Sequence, residues 1–285
     1  MADYAFLRDC WHRLSGFGRS TGFFTPYLYQ GAVADVIPPY PEFDHYFTRY
    51  LEEMRLFAAA IRRQDDQFKA SLALSDGPDW GSSWLTPLDC ATIYTAVAHF
   101  RPARIIEIGS GNSTHFLAQA VKDHHLDTRL TCIDPEPRIA ISGLELGFER
   151  RALREDDCDL TDSLGANDIL FVDSSHLLQE GYDLDIIFNR IVPRLQQGVI
   201  VHVHDIFLPD PYPVAWKGRH YNEQNMLGGW LLSGAFEAVF ASHFVHTRHS
   251  AMLAGLSGAI PEISTTDGGS LWLKKALPPA RGATF

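Results

Sequence analysis

A short apolar segment that runs directly into a glycine turn constrains the fold of this chain more than any other feature. Residues 104–114 read RIIEIGSGNST, with Glu107 inside the apolar segment and Gly109 and Gly111 just after it. A strand followed by a G-x-G turn and a helix places backbone amides close to a ligand, as in nucleotide-binding α/β folds. The segment therefore predicts the first strand, loop and helix of a ligand-binding sheet.

Short apolar segments alternate with longer segments after residue 84. The predicted strands are 104–108, 129–133, 150–154, 168–172 and 198–204, and the predicted helices lie near 112–122, 136–146 and 178–195. Strands that alternate with helices form a parallel sheet with helices on both faces. Two later apolar segments, 236–241 and 270–276, have no full helix between them and fit an antiparallel pair at the sheet edge. The expected fold class is α/β, with a doubly wound, mostly parallel, seven-stranded sheet.

The first 83 residues have a different pattern, rich in aromatic residues and interrupted by prolines. Residues 42–63 carry apolar side chains at spacings of three and four, which is typical of an amphipathic helix. A second helix is predicted over 87–99, because Thr86 can cap it and Pro87 suits its first position. We therefore divide the chain into an N-terminal helical cap, residues 1–83, and a ligand-binding domain, residues 84–285. Residues 278–285 are expected to be loose.

Charge and composition exclude several kinds of partner. The 285 residues carry a formal net charge of −11 and no Lys or Arg cluster, which disfavours binding to nucleic acid. No apolar segment approaches the roughly 18 residues of a membrane span, and Arg8 and Asp9 interrupt the N-terminal segment where a leader would be apolar. The four cysteines show no C-x-x-C spacing, so reduced thiols are expected. We expect a cytoplasmic protein with a small-molecule substrate, for which a homodimer is one candidate assembly.

Two cofactors suit a glycine turn after a first strand, namely a nicotinamide dinucleotide and S-adenosylmethionine. The dinucleotide fingerprint needs a third glycine where this chain has Thr114. A carboxylate at Glu107 would attract a sulfonium or ammonium cation but offers nothing to a pyrophosphate. Asp134, at the end of the second predicted strand, can accept hydrogen bonds from ribose hydroxyls. S-adenosylmethionine is favoured, and an NAD-linked oxidoreductase and a non-catalytic adenosyl-ligand binding protein remain as alternatives.

Four motifs in order along the chain carry a family resemblance: IEIGSGNST, CIDPEP, ILFVDSSH and GVIVHVHDIFLPDPYP. Together they resemble the class I S-adenosylmethionine-dependent methyltransferases, which have a Rossmann-like fold, and specifically a bacterial branch that acts on small molecules. The resemblance covers residues 84–275 and implies methyl transfer to a hydroxyl or amine of a small polar molecule in specialised metabolism. It implies these cofactor-binding residues: Glu107, Gly109, Ser110, Gly111 and Ser113 around the methionine part, Asp134 at the ribose, Asp156 or Asp157 at the adenine, and Asp173.

Polar residues follow two predicted strands at the edge where α/β sheets bind ligands. Asp173 and His176 come after ILFV, and His204 and Asp205 come after GVIVHV. His176 can remove a proton from the acceptor as the methyl group arrives, with Asp173 and Asp205 as further catalytic residues. The alternative is that His176 is only a polar wall of the pocket. His202, deeper on the same strand as His204, is expected to be a core histidine.

The same strand ends are similar to those of metal-dependent sugar O-methyltransferases, which implies a divalent ion held by Asp173, His204 and Asp205. His204 replaces one acid of that family, and a ligand set with an imidazole suits Mn²⁺ or Fe²⁺ better than Mg²⁺. The alternative is that His204 and Asp205 form a hydrogen-bonded pair that orients the substrate.

The long, proline-containing connection 206–225 is expected to form a lid over the acceptor. The expected substrate-binding residues are His204, Tyr212, Trp216, Tyr221 and Glu223. For Glu223, an equal alternative is that it is an ordinary polar residue at the start of the helix predicted in YNEQNMLGGWLL.

Overall fold

A seven-stranded sheet lies at the centre of residues 36–75 and 77–277, the part of the chain that this computed structural model describes. The strands are β1 (Arg104–Ile108), β2 (Arg129–Ile133), β3 (Gly147–Glu149), β4 (Ile169–Val172), β5 (Ile200–Val203), β6 (Phe236–Ala241) and β7 (Leu271–Lys275). The α-helices are α1 (Pro41–Thr48), α2 (Leu51–Arg62), α3 (Asp65–Leu72), α4 (Pro87–Phe100), α5 (Asn112–Asp123), α6 (Cys158–Thr161), α7 (Asp183–Ile186), α8 (Glu223–Leu232) and α9 (Ser242–Arg248). Short 3-10 or π-helical turns lie at Glu155–Asp157, Ile187–Ile191, Val192–Arg194, Val214–Arg219, Ser250–Met252 and Pro261–Ser264.

Two of the sequence predictions concern residues outside this description. They are the aromatic-rich N-terminal part of the cap, residues 1–35, and the loose tail, residues 278–285. Contacts divide the chain between Ile37 and Pro38, and every element named above belongs to the unit that begins at Pro38. No helix in the described ranges is long and apolar enough to cross a membrane.

The sheet has the strand order β3-β2-β1-β4-β5-β7-β6. Strands β1 to β5 are parallel to one another, whereas β7 is antiparallel to both β5 and β6. This confirms the predicted fold class, a mostly parallel seven-stranded α/β sheet with an antiparallel pair at one edge. The connection from β6 to β7 contains α9, a helix that the sequence analysis did not predict.

The register of the parallel strands brings their carboxyl ends to one edge. Ile108, the last residue of β1, is level with the last residues of β2 and β4, and β4 ends level with β5. The residues that follow the four strands are Gly109, Asp134, Asp173 and His204. Because ligands bind at the carboxyl ends of strands in such sheets, this edge is where the site is expected.

The central strands are buried on both faces, and helices cover them. Ile105, Leu170 and Val201 are all buried, and each such side chain contributes about 1.5–3 kcal/mol to the free energy of folding when it leaves water. Helix α4 begins as predicted, because the Thr86 hydroxyl accepts a hydrogen bond from the Asp89 amide and Pro87 occupies the first position.

Helices α1 and α2, which belong to the predicted cap, pack against the edge strand β6. The Tyr46 hydroxyl donates to the Phe236 carbonyl at 2.8 Å, and the ring centroids of Phe57 and Phe240 lie 5.4 Å apart. These helices therefore share their hydrophobic core with the sheet. The boundary between residues 83 and 84 stays a prediction.

The helices predicted over 42–63 and 136–146 differ from those in the structure. The helix predicted over 42–63 is two helices, α1 and α2, because the amides of Arg49 and Tyr50 bond three residues back, to Tyr46 and Phe47, which ends α1. Residues 136–146 form no helix. Prolines at 135 and 137 remove backbone donors there, and Gly143 has a left-handed φ of 97°.

Two further boundaries are corrected on the way to β5. The strand predicted over 150–154 is β3, at Gly147–Glu149, because the following residues turn around an ion pair between Arg151 and Asp157. The helix predicted over 178–195 begins only at Asp183 and continues as the π and 3-10 turns to Arg194. Its expected first turn is absent because the Asn222 side chain accepts a hydrogen bond from the Leu178 amide at 2.6 Å.

Candidate active site

A cavity of about 460 Å³ opens at the carboxyl ends of β1, β2 and β4. Its walls come from the glycine loop 109–113, from 133–139 after β2, from 152–153 after β3, and from 173–176 and 181–183 after β4. Trp84 and Leu85, which precede α4, complete the wall. The site is thus a concave surface built from six separate segments of the chain.

The glycine loop passes directly over the end of β4. Gly109 has a left-handed φ of 86°, and a Cβ atom at this position would overlap the carbonyl oxygen of Asp173. A Cβ on Gly111 would meet nothing within 4 Å. Gly111 caps α5, and its amide donates to the Thr114 hydroxyl at 3.0 Å. The sequence therefore needs glycine at 109 for close chain approach, and the loop presents main-chain amides at the start of a helix.

Glu107 lies fully buried beneath this loop and does not line the cavity. Its carboxylate accepts hydrogen bonds from the hydroxyls of Ser113 and Thr114, both at 2.6 Å, and from the Cys132 thiol at 3.1 Å. Burial raises its pKa to about 7, against the lowering effect of these donors. The expectation that Glu107 faces a bound cation is therefore corrected, because its oxygens already serve to fix the loop to the sheet.

Asp134 follows β2 and lines the cavity, as predicted. Its two carboxylate oxygens accept hydrogen bonds from the amides of Ser110 and Glu136, each at 2.6 Å. The side chain is only partly buried, so each oxygen keeps room for another donor. Asp134 therefore joins the glycine loop to the β2 loop while facing the space where a ribose would lie.

The two acids predicted for the adenine do not line the cavity. Asp157 is bidentate to Arg151 at 2.7 and 2.8 Å and accepts the Arg154 amide at 2.7 Å, so it stabilises the turn after β3. Asp156 is exposed on the same turn. The wall of the cavity after β3 is formed instead by Ala152 and Leu153. These two residues were not predicted, because no polar motif marks them in the sequence.

His176 lies at the other end of the cavity, after β4, with 4% of its surface exposed. Its Nδ1 is 2.7 Å from Glu223 Oε1, and its Nε2 is 3.3 Å from Asp173 Oδ1 and 3.6 Å from Asp205 Oδ2. The backbone of His176 is left-handed, with φ of 60°. Three carboxylates therefore surround one imidazole, and the residues predicted as catalytic are brought together.

His204 is the second imidazole of this cluster and is buried behind it. Its Nδ1 lies 3.3 Å from Asp205 and 3.6 Å from Asp173, and its Nε2 lies 3.3 Å from Asp89. Asp89 also accepts the amides of Gly269 and Ser270 at 3.0 and 2.9 Å. Asp89 was not predicted as a site residue, because it lies in the first turn of α4, where acidic residues are common.

The charges of this cluster compensate one another. Burial alone would lower the pKa of both histidines. The carboxylates of Glu223 and Asp173 nevertheless raise the pKa of His176 well above its ordinary value. The carboxylates of Asp173 and Asp205 likewise raise the pKa of His204 well above its ordinary value. Burial would raise the pKa of Asp89, yet the His204 hydrogen bond and charge lower it to about 2. The carboxylates therefore favour the protonated form of both imidazoles.

The third histidine of this region, His202, is a core residue, as expected. It is fully buried between the rings of Phe171 and Trp272, at centroid distances of 3.9 and 4.5 Å, and its Nε2 lies 3.0 Å from the Ser270 hydroxyl. Burial lowers its pKa well below the ordinary value, so it stays neutral.

The residues predicted to hold a metal ion do not fit one as they are arranged. Both nitrogens of His204 already contact carboxylates, Nε2 that of Asp89 and Nδ1 that of Asp205, each at 3.3 Å. Within 36–75 and 77–277, no group of three or more His, Cys, Asp or Glu side chains is arranged to hold a metal ion.

The residues predicted to bind substrate lie behind His176 and do not line the cavity. The Tyr221 ring stacks on the His176 imidazole with centroids 4.3 Å apart, and Trp216 and Tyr212 contact Tyr221 edge-on at 5.8 and 6.2 Å. Trp216 also carries the Arg219 guanidinium at 3.8 Å from its ring centroid. The proposed lid, 206–225, therefore supports His176 from behind; that it covers an acceptor stays a prediction.

Other residues line the cavity without having been predicted. Trp84 is 55% exposed, and the Arg138 guanidinium lies 4.3 Å from its ring centroid, so one cation–π pair joins two walls of the cavity. Beyond His176, the cavity reaches Tyr182 and Asp183, and Asp183 is hydrogen-bonded to Ser175. No periodic spacing marks these residues in the sequence, because Trp84, Arg138 and Tyr182 lie outside helices and strands and Asp183 begins the short helix α7.

Comparison with known proteins places this site in a class. Residues 106–206, from β1 to just past β5, match a family model described as a methyltransferase domain. A comparison with curated proteins finds no sequence match.

Solved structures show more distant likeness. PaMTH1, a methyltransferase of Podospora anserina determined with SAH, is 14% identical, with 90% of this chain and 100% of that chain covered and a TM-score of 0.43. Cofactor-bound Rv0187 from MTB is 13% identical, with 74% and 90% covered and a TM-score of 0.44. The branched-chain polyamine synthase of Thermus thermophilus is 13% identical, with 78% and 66% covered and a TM-score of 0.43.

The family match covers the glycine loop, Asp134 and both strand ends of the polar cluster. Over residues 106–206, the chain is similar to a methyltransferase domain, and this match agrees with the resemblance of its motifs to S-adenosylmethionine-dependent methyltransferases. This similarity favours a methyltransferase over the NAD-linked oxidoreductase and the non-catalytic binding protein that the sequence left as alternatives. The bacterial branch stays a prediction.

Proposed function

We propose that the enzyme transfers a methyl group to a hydroxyl or amine of a small polar molecule in specialised metabolism, with His176 as the general base. The observation that carries this proposal is the position of His176. It lines the same cavity as the glycine loop, and each of its ring nitrogens has a carboxylate neighbour. We place the acceptor in the part of the cavity that His176 lines.

The residues along the cavity fit the cofactor. The glycine loop, Gly109 to Gly111, with Ser113 at the start of α5, would lie against the methionine part, and Asp134 would accept from the ribose hydroxyls. The Ser174 hydroxyl also lies along the cavity and has no hydrogen-bond partner within the described chain, so it is free to contact a ligand. When bound, S-adenosylmethionine supplies an electrophilic methyl group.

In the proposed reaction, the acceptor oxygen or nitrogen forms a bond to the methyl carbon while the sulfur–carbon bond breaks. The electron pair of that bond stays on sulfur, and the acceptor proton passes to Nε2 of His176. Asp173 and Asp205 lie within 3.6 Å of Nε2 and stabilise the imidazolium that forms. Because the carboxylates raise the pKa of His176, the neutral form that accepts a proton becomes more abundant as pH rises.

No step of this reaction uses a metal ion, because Asp173, His204 and Asp205 do not fit one as arranged. Alignment of the acceptor with the methyl group is then the main source of rate enhancement, and proton removal adds typically 10²–10⁴-fold.

The test begins with a panel of small phenols, sugars and amines, screened for release of adenosylhomocysteine, to find an accepted substrate. His176→Ala is expected to lower kcat by at least about 10²-fold while adenosylhomocysteine affinity, measured by calorimetry, stays nearly unchanged. His45→Ala, a change at an exposed histidine of α1, is the matched control and should be fully active. Full activity of His176→Ala would rule out the base, and activity that EDTA abolishes and Mn²⁺ restores would rule out the metal-free reaction.

A further inference from the structure

Glu223, the first residue of α8, is a fully buried acid behind His176. It is 0% exposed, and its Oε1 lies 2.7 Å from Nδ1 of His176. Its Oε2 has no hydrogen-bond partner among the residues described. Glu223 does not line the cavity, so it reaches the reacting atoms only through the imidazole.

The two residues before Glu223 hold the same histidine by other means. The Asn222 amide donates to the His176 carbonyl at 3.1 Å, and the Asn222 side chain accepts the Leu178 amide at 2.6 Å. The Tyr221 ring stacks on the imidazole at 4.3 Å, with 27° between the planes. Three consecutive residues thus fix the main chain, the ring plane and one ring nitrogen of His176, whose left-handed φ of 60° needs such support.

The two nitrogens of the imidazole therefore have different surroundings. Nδ1 faces Glu223 in the interior, whereas Nε2 faces Asp173, which itself lines the cavity. An ionised carboxylate accepts hydrogen bonds only, so Nδ1 beside ionised Glu223 carries a hydrogen. In a neutral ring, the lone pair is then on Nε2, on the cavity side.

We propose that Glu223 is a positioning residue for methyl transfer: it fixes the ring orientation of His176 and keeps the proton on Nδ1, so that Nε2 accepts the proton of the acceptor. This inference rests on the proposed role of His176 as the base. During the reaction, Nε2 gains the acceptor proton, Nδ1 keeps its own, and Glu223 stabilises the resulting imidazolium without a change in its own bonds.

A merely structural role for Glu223 makes a different prediction. If Glu223 only stabilised the start of α8, its loss would lower activity by the same factor whether or not His176 were present. If it acts through His176, its loss should have no further effect once the imidazole is gone. A double-mutant cycle separates these two cases.

The cycle comprises the parent enzyme, Glu223→Gln, His176→Ala and the double variant, assayed with the acceptor found in the panel. Glu223→Gln is expected to lower kcat by at least about 10-fold, since an amide can donate to Nδ1 and favour the wrong tautomer, while KM for S-adenosylmethionine stays within about twofold. In the His176→Ala background, the same change should leave kcat unaltered. Glu237→Gln, an exposed position on β6, is the matched control and should behave as the parent.

Folding is checked by thermal unfolding and by calorimetry with adenosylhomocysteine. If Glu223→Gln does not fold, Glu223→Asp replaces it in the cycle, because it keeps the charge but is one methylene too short for the 2.7 Å contact. Parent-like kcat of the Glu223 variant, or an equal loss in both backgrounds, would overturn the positioning role while leaving His176 as the base. Full activity of His176→Ala would instead overturn the base itself, so the two failures are distinguishable.

Discussion

Two buried glutamates, one at each end of the site, have the same degree of burial and different partners. Glu107 lies under the glycine loop and Glu223 lies behind His176, and both are 0% exposed. Burial raises the pKa of each to about 7. Glu107 is held by two hydroxyls and a thiol, whereas Glu223 contacts a charged imidazole with one oxygen and leaves the other without a partner.

The difference shows how each end of the site is built. At the cofactor end, Glu107 and Asp134 accept hydrogen bonds from neutral side chains and main-chain amides, and their role is to hold a loop in place. At the acceptor end, side chains from α4, β4, β5 and α8 hold one another by charge. The cofactor end depends on backbone geometry, and the acceptor end depends on protonation.

The largest expected effect is at the loop itself, in Gly109→Ala. The new Cβ would overlap the Asp173 carbonyl at a left-handed φ of 86°, and strain plus overlap should reduce the free energy of unfolding by about 3 kcal/mol or more. Gly143→Ala is the matched control, because Gly143 is also left-handed, at 97°, but a Cβ there meets nothing within 4 Å.

Urea unfolding of both variants measures the difference, and calorimetry with adenosylhomocysteine measures binding. Gly143→Ala should lose only about 1 kcal/mol, the cost of the left-handed backbone alone. Equal losses in the two variants would show that the close approach of the loop to β4 has no energetic importance.

A smaller effect is expected for Asp134→Ala, which should weaken adenosylhomocysteine binding by about 1.5–3 kcal/mol, the scale of hydrogen bonds to a charged group. Stability should change little, since Asp134 is partly exposed. Asp156→Ala is the control, because this exposed acid of the turn after β3 does not line the cavity. Calorimetry checks both, and parent-like affinity of Asp134→Ala would show that the ribose assignment is wrong.

The cofactor end could be predicted from the sequence because its signals are local. A strand, a glycine turn and a helix follow one another within residues 104–123, and Asp134 ends the next strand. These residues lie along the cavity as expected, apart from Glu107. The errors in this part, the helix at 136–146 and the strand at 150–154, arose where prolines and an Arg151–Asp157 ion pair replaced regular structure by turns.

The acceptor end could be predicted only in part, because its contacts are distant in sequence. Asp173, His176 and Asp205 follow strands whose order was expected, so their proximity could be inferred. The partner of His176 comes from 47 residues away, and Asp89 lies 115 residues from His204. Such pairings depend on how α4 and α8 pack on the sheet, which periodicity does not encode.

The last prediction concerns the pH dependence of stability and separates the two glutamates directly. The pKa of Glu107 is about 7 in the folded protein, against an ordinary value of 4.5, so folding favours its protonated form. Its contribution to stability is therefore fully present below about pH 4.5 and is lost as pH rises through about 7, by at most about 1.4 kcal/mol per pH unit. Glu107→Gln, which cannot ionise, removes this loss. The free energy of unfolding of the variant minus that of the parent should rise between pH 5 and pH 8, as measured by urea unfolding, while kcat changes little because Glu107 does not line the cavity.

Glu223→Gln should show the opposite pattern, with a large change in kcat and a smaller change in slope, because the ionised Glu223 is compensated by protonated His176. Identical slopes for the parent and Glu107→Gln would mean that Glu107 titrates alike in the folded and unfolded chains, and the contrast between the two ends would then lose its electrostatic basis.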